Sequence, residues 1–289
     1  MDILGCSIEL ITKNNIQYIK KTTYDKNYIY RLKLQSNKQQ EFKNTINKSQ
    51  TYFNTPNIIS TQETEDYYSI IMEYINGQSC IEYFEQSNNI SVNNFISEII
   101  NFINFELKTS QLLDVTKLVI DKFNNTIFNI RKNELLVNDK DINELIIFYE
   151  KYIFNSDLKC IIPVGICHGD MTLSNMIFNN KEVYLIDFLD SFVETPLMDI
   201  VKLRQDTKYN WSYLLINNKN NLVFENSKSN FYKIDCEITD YYFQQQFYKD
   251  NYLTFQILNF LRIFQYVKKD YIIKYLKMVL KDLQKELNI

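Results

Sequence analysis

The chain has 289 residues, 45% of them hydrophobic, enough for two packed cores. Its 32 basic and 35 acidic side chains leave a net charge of −3, which supplies no basic field for nucleic acid. One histidine argues against a zinc site or a Ser-His-Asp triad, and five scattered cysteines argue against a disulfide framework and for a reducing cytoplasm.

In chain order, residues 7–12 read as a strand, Lys13, Asn14 and Asn15 as a turn, and residues 16–22 as a second strand. Alternation along that second strand sets Ile16, Tyr18 and Lys20 on one face and Gln17, Ile19 and Lys21 on the other. Residues 37–46 are helix-like, and residues 70–75 form a buried strand that ends in an Asn76-Gly77 turn. The expected division is a small sheet-rich lobe over residues 1–73 and a larger helical lobe over residues 74–289.

Residues 88–91 turn into a helix carrying Phe95, Ile99, Phe102 and Phe105, and Glu98, Asn101, Asn104 and Glu106 interrupt it too often for a membrane span. Asp141 starts another helix, with Leu145, Phe148, Tyr149 and Tyr152 on its apolar face. Residues 161–167 and 183–187 are short β-type runs, the second following a turn at residues 179–181. Pro196 opens a helix with Leu197, Ile200, Val201 and Leu203 facing inward. Residues 217–229 read as a polar loop, and the chain is helical from Tyr242 onward, ending in a core stripe of Ile272, Tyr275, Leu276, Val279, Leu283 and Leu287.

The chemistry is concentrated in His168-Gly169-Asp170, with Asn175 five residues beyond Asp170 and Asp187 twelve beyond Asn175 at the end of an apolar strand. That spacing suits transfer of a phosphoryl group, which needs a carboxylate at the attacking hydroxyl and oxygen ligands for cations on the phosphates. Asp170 is the expected catalytic residue, orienting the hydroxyl and taking its proton, while Asn175 and Asp187 would ligate Mg²⁺.

On these motifs the chain resembles the aminoglycoside phosphotransferase and choline kinase family, whose loop reads H-G-D-x-x-x-x-N and whose metal aspartate lies in an I-D-F or I-D-W strand. Protein kinases are a more distant match, with Arg in place of Gly169 and Gly in place of Leu189. The resemblance implies an α+β, bilobal protein-kinase-like fold and ATP or another NTP as donor. It also implies a hinge where backbone groups at Glu73 and Ile75 meet adenine, and a phosphate-binding lysine on the second strand. Lys21 is favoured over Lys20 because Ile19 would share its face, and Glu41 is its expected partner. Asp199 and His168 would brace the catalytic loop. The family's glycine-rich loop is missing, since Gly5 is the only glycine before the lysine strand.

Asp190, Glu194, Asp206, Tyr209 and Trp211 follow the metal aspartate closely and are the candidates for the acceptor side. The expected activity is a cytoplasmic kinase acting on a hydroxyl of a small molecule, specifically a sugar or amino alcohol for surface polysaccharide. An aminoglycoside-type kinase and a pseudokinase binding module are the alternatives, the last suggested by the missing glycine loop.

Overall fold

The computed structural model describes residues 5–46, 52–155, 158–179, 182–216 and 224–287. The chain opens with two antiparallel strands, β1 (Cys6–Lys13) and β2 (Ile16–Thr23). Asn14 and Asn15 join them at φ 51° and 62°, the left-handed pair that a two-residue hairpin needs. Lys13, expected in the turn, is the last residue of β1. With β4 (Ile58–Glu63) and β5 (Tyr68–Glu73) these strands form one antiparallel sheet in the order β1-β2-β5-β4.

Helix α1 (Lys26–Ile46) starts well before the expected Asn37. Asp25 begins it, its carboxylate accepting the Asn27 N–H at 2.9 Å and its carbonyl the N–H groups of Tyr28 and Ile29. Leu32 of α1 closes a small core with Cys6, Tyr68, Ile70 and Met72 of the sheet.

Among the described residues, backbone pairing stitches the two lobes at two places. Strand β3 (Phe53–Asn54) leaves the first lobe to pair in parallel with β9 (Glu182–Leu185), which itself pairs with β8 (Met176–Asn179). The segment after β5 makes no hairpin turn at Asn76-Gly77. Gln78 and Phe178 exchange backbone hydrogen bonds of 2.9 and 3.0 Å, and a Cβ on Gly77 would come within 2.6 Å of the Phe178 carbonyl, so glycine permits this close crossing.

The second lobe is helical. Helices α2 (Cys80–Gln86), with a Ser79–Glu82 capping box, and α3 (Asn89–Lys108), capped by Asn88, follow the linker. Strand β6 (Gln111–Asp114) pairs with β7 (Ile161–Val164), and between them lie α4 (Thr116–Lys132) and α5 (Lys140–Asn155). Helix α6 (Pro196–Thr207) is buried at every residue. It packs against α3, α7 (Trp211–Ile216), α8 (Glu225–Tyr242) and α9 (Gln246–Phe264), and α10 (Asp270–Leu287) packs on α9 and α5.

The expected polar loop is a correction, because residues 225–229 form the first turn of α8; residues 217–223 lie outside the described residues, as do Asn180 and Lys181 of the expected turn. The helical stretch beyond Tyr242 is cut into α9 and α10, and Leu276, Val279 and Leu283 are core residues as their spacing implied. Among the described residues no helix is long and apolar enough to cross a membrane.

Candidate active site

One face of α6 builds the loop that carries His168 to Asn175. Asp199, Lys202 and Asp206 stand at i, i+3 and i+7, so they share that face. Asp199 accepts the backbone N–H groups of His168 at 2.5 Å and Gly169 at 2.7 Å. Lys202 Nζ lies 2.8 Å from Asp170 Oδ1. One oxygen of Asp206 accepts the Leu173 N–H at 2.6 Å, and the other accepts both the N–H and the hydroxyl of Ser212. Gly169 has φ 85°, and a Cβ there would meet the Leu189 carbonyl at 2.4 Å, which excludes any other residue without a shift of the backbone.

His168 is fully buried and uses both ring nitrogens. Nδ1 accepts the Asp170 N–H at 3.2 Å, so Nε2 carries the proton and donates to the Ile186 carbonyl at 2.9 Å. Burial, which disfavours a charged ring, pulls its pKa down to about 4. For Asp170, burial works to raise the pKa, but the Lys202 ammonium, His168 and a hydrogen bond from Asn175 carry it below the usual carboxylate value. Asp170 is therefore ionised at neutral pH and still 27% exposed, open to a hydroxyl.

Asn175 ends a short 3₁₀ turn, and its side-chain N–H₂ donates to the Asp170 carbonyl and carboxylate at 2.8 and 3.0 Å. That orientation leaves Asn175 Oδ1 for a cation. Asp187 lies two residues past β9 at φ 61°, a left-handed position that aspartate tolerates, and it forms an ion pair with Lys21. Among the described residues no cluster of three His, Cys, Asp or Glu could hold a metal alone. The donor set of Asn175 Oδ1 and the Asp187 carboxylate fits Mg²⁺ that completes its shell with phosphate oxygens and water.

The remaining candidates separate into those near this centre and those away from it. Lys21, not Lys20, reaches Asp187, since Lys20 projects from the other face of β2. Glu41 is not its partner. The early start of α1 sets Leu32 against the sheet and puts Glu41 nine residues, about 13 Å, farther along the axis. Glu41 lines a separate cavity of about 530 Å³ with Lys38, Cys167, Asp190 and Glu194. Ile19 packs against the small-lobe core. Glu73 donates its N–H to the Asn57 carbonyl, its carboxylate accepts from the Asn57 backbone N–H and side-chain N–H₂, and Ile75 is buried.

Three acceptor candidates do not face the acceptor. Asp206 is fully buried under the loop, and Tyr209 is packed against Phe260 with its carbonyl bonded to the Tyr275 hydroxyl. Glu194 pairs with Lys38 and accepts from Cys167 Sγ at 3.1 Å. Asp190 and Trp211 do line a cleft of about 870 Å³ that opens at Asp170, Thr172 and Asn175. Sequence reasoning missed Lys202, whose signal was its position three residues after Asp199.

The segment holding this loop, residues 131–212, matches the model of the phosphotransferase enzyme family. No curated protein sequence matches the chain. Solved structures resemble it over nearly its whole length. A thermostable mutant of aminoglycoside phosphotransferase APH(4)-Ia, in ternary complex with ADP and hygromycin B, matches with a TM-score of 0.67 at 6% identity, covering 99% of this chain and 92% of that one. A glucosamine kinase in complex with glucosamine, ADP and inorganic phosphate matches at 0.52 and 7% identity, covering 98% and 80%. A choline/ethanolamine kinase family protein from Mesorhizobium loti matches at 0.50 and 10% identity, covering 96% and 88%. At these identities the likeness is one of fold, and it bears out the expected α+β, bilobal kinase-like architecture, while the family-model match over residues 131–212 agrees with the expected resemblance.

Proposed function

We propose that this kinase-like phosphotransferase moves the γ-phosphoryl group of ATP, or of another NTP, to a hydroxyl of a small molecule of sugar or amino-alcohol size. The observation that carries the reading is the joining of two pairs, Lys21 with Asp187 and Asn175 with Asp170, through the Ile186 N–H bonded to the Asn175 carbonyl, with Asp170 held ionised beside Lys202. Adenine would meet the carbonyl of Glu73 and the backbone of Ile75, because the Glu73 N–H is already bonded to Asn57.

Lys21 would pass from Asp187 to the donor phosphates, freeing the Asp187 carboxylate to hold Mg²⁺ together with Asn175 Oδ1, and the ion would neutralise phosphate charge. Asp170 accepts a hydrogen bond from the acceptor hydroxyl and aligns its oxygen with the γ-phosphorus. As the new P–O bond forms, the bond to the bridging β,γ-oxygen breaks, the nucleoside diphosphate leaves, and the hydroxyl proton passes to Asp170. Lys202, at Asp170 Oδ1, keeps that carboxylate ionised until the proton arrives.

The first prediction tests this directly. Asp170→Asn should lower turnover by about 10²- to 10⁴-fold while Mg·nucleotide affinity, measured by calorimetry, stays nearly constant. Full activity in the variant would sink the mechanism. Nucleotide binding by the wild type without phosphotransfer to any acceptor would favour a binding module instead.

A further inference from the structure

The acceptor-side cleft differs in charge from the rest of the chain. Six cations line it, Arg31, Lys122, Lys202, Arg262, Lys268 and Lys269, against the two carboxylates Asp170 and Asp190. Overall the chain has more carboxylates than cations. Lys202 is taken up by Asp170. The others are not: among the described residues no carboxylate lies within ion-pair distance of any of the remaining five.

Arg262 is the clearest case, because its Nη1 is buried without any hydrogen-bond partner. A buried donor of this kind weakens the fold unless something meets it. Three of the cations come from three different helices, Arg31 from α1, Lys122 from α4 and Arg262 from α9. They lie close enough to act on one another. Burial lowers the Lys122 pKa and the Arg262 charge lowers it further. Burial also lowers that of Arg262, with Asp170 opposing and Arg31 adding to the depression. Like charges gathered at the mouth of a catalytic cleft favour an incoming anion and repel a cation.

We infer that the acceptor is itself an anion, a sugar or polyol bearing a phosphate or carboxylate group. Its charged end would be held by Arg31, Lys122 and Arg262 while its hydroxyl meets Asp170. Trp211 and Tyr266, which line the same cleft, offer aromatic faces for a sugar ring. The inference rests on the phosphotransferase reading and narrows its substrate class. A cationic aminosugar would meet five cations that no carboxylate pairs, three of them only over the aromatic rings of Tyr28, Phe192 and Tyr271, and Glu194 and Asp206, the carboxylates that might have balanced them, are engaged elsewhere.

The test assays the full chain with Mg·ATP against glucose, glucosamine, glucuronate and glucose 6-phosphate. One of the two anionic hexoses should exceed glucose and glucosamine by tenfold or more in kcat/KM, and which of them does so separates a carboxylate from a phosphate. Lys122→Gln/Arg262→Gln should cut that preference at least tenfold, mainly through KM. Lys268→Gln/Lys269→Gln, at exposed positions that do not threaten folding, should cut it less, and 0.5 M salt should reduce it in the wild type. Because the hexoses are stand-ins for the acceptor, binding is read separately by titrating inorganic phosphate into the chain saturated with Mg·AMP-PNP. Binding should be weakened tenfold or more in Lys122→Gln/Arg262→Gln. A preference for glucosamine, or phosphate binding that is absent or equal in wild type and variants, would overturn the anionic acceptor. So would phosphate binding that AMP-PNP abolishes, since the cations would then serve the donor. Failure of the phosphotransferase reading shows differently, as no Mg·AMP-PNP binding at all or as nucleotide binding with no phosphotransfer to any acceptor.

Discussion

Two charged regions meet at Asp170 and are built in opposite ways. On the α6 side each ion has its partner: Asp199 and Asp206 hold backbone N–H groups of the loop, and Lys202 holds Asp170. Arg204, on the same helix, gives two bonds to Asp235 at 2.8 and 3.1 Å and a third to the Tyr248 hydroxyl. On the cleft wall Arg262 has a buried nitrogen with no partner, and Arg31 and Lys122 have no carboxylate within reach among the described residues. Paired buried charges fix positions, and unpaired ones at a cleft keep their interaction free for a ligand. The first region thus serves geometry and the second recognition.

The largest expected break in this contrast is at Asp187, the one residue of the paired side whose partner must be exchanged during function. Asp187→Ala removes the carboxylate that Lys21 now occupies. Calorimetry in excess Mg²⁺ should show loss of metal-dependent nucleotide binding, with turnover down by about a hundredfold or more. Unchanged affinity would move the cation site elsewhere.

A smaller effect, on stability as well as activity, is expected at Asp206. Asp206→Ala leaves the N–H groups of Leu173 and Ser212 and the Ser212 hydroxyl without their acceptor in a fully buried site. A loss of about 3 kcal/mol follows if these groups find no water. Urea unfolding measures it. A loss under about 1 kcal/mol would mean that the loop holds its own shape and that α6 only covers it. Turnover of the folded fraction should fall too, because the same loop orients Asn175.

How far this was legible in the sequence depended on whether a role was local. The Asp170, Asn175 and Asp187 constellation is written in one short stretch, and the two Asn residues of the first hairpin mark their own turn. Glu41 failed because α1 hides its length: its buried face runs Leu32, Ser36, Gln39, Phe42 and Ile46, so two polar residues interrupt the apolar period that would have revealed the earlier start. Asp206 and Tyr209 were placed by closeness to Asp187 along the chain, whereas the face of α6 decides which way a side chain points. Lys202 was within reach of the same helical arithmetic applied to Asp199. The cationic wall had no local signature, since Arg31, Lys122 and Arg262 come from helices far apart in sequence and meet only in the fold.

The smallest expected effect lies behind the paired side, where Glu106 of α3 is fully buried near Asp199 and neither of its carboxyl oxygens has a hydrogen-bond partner among the described residues. Burial, and then the Asp199 charge, hold the Glu106 pKa well above the usual value. Burial also pushes Asp199 up to about 7, with Lys38 and the two loop N–H groups opposing. Both carboxyls hold their protons to higher pH than the unfolded chain, which releases them above about pH 4, so their contribution to stability is complete below that pH and is lost as pH rises, for Asp199 through about 7. His168 acts in the other direction: with a folded pKa of about 4, its contribution is present above its ordinary value of 6.5 and is lost as pH falls toward 4. The two trends oppose each other between pH 4 and 7 in the wild type. Glu106→Gln removes the Glu106 share of the first trend and leaves the His168 trend more exposed, so the variant should gain stability relative to wild type as pH rises from 5 to 8. Thermal unfolding of both proteins across that range reads the difference. Parallel curves would mean that Glu106 is ionised in the folded protein and that an unseen partner meets its charge.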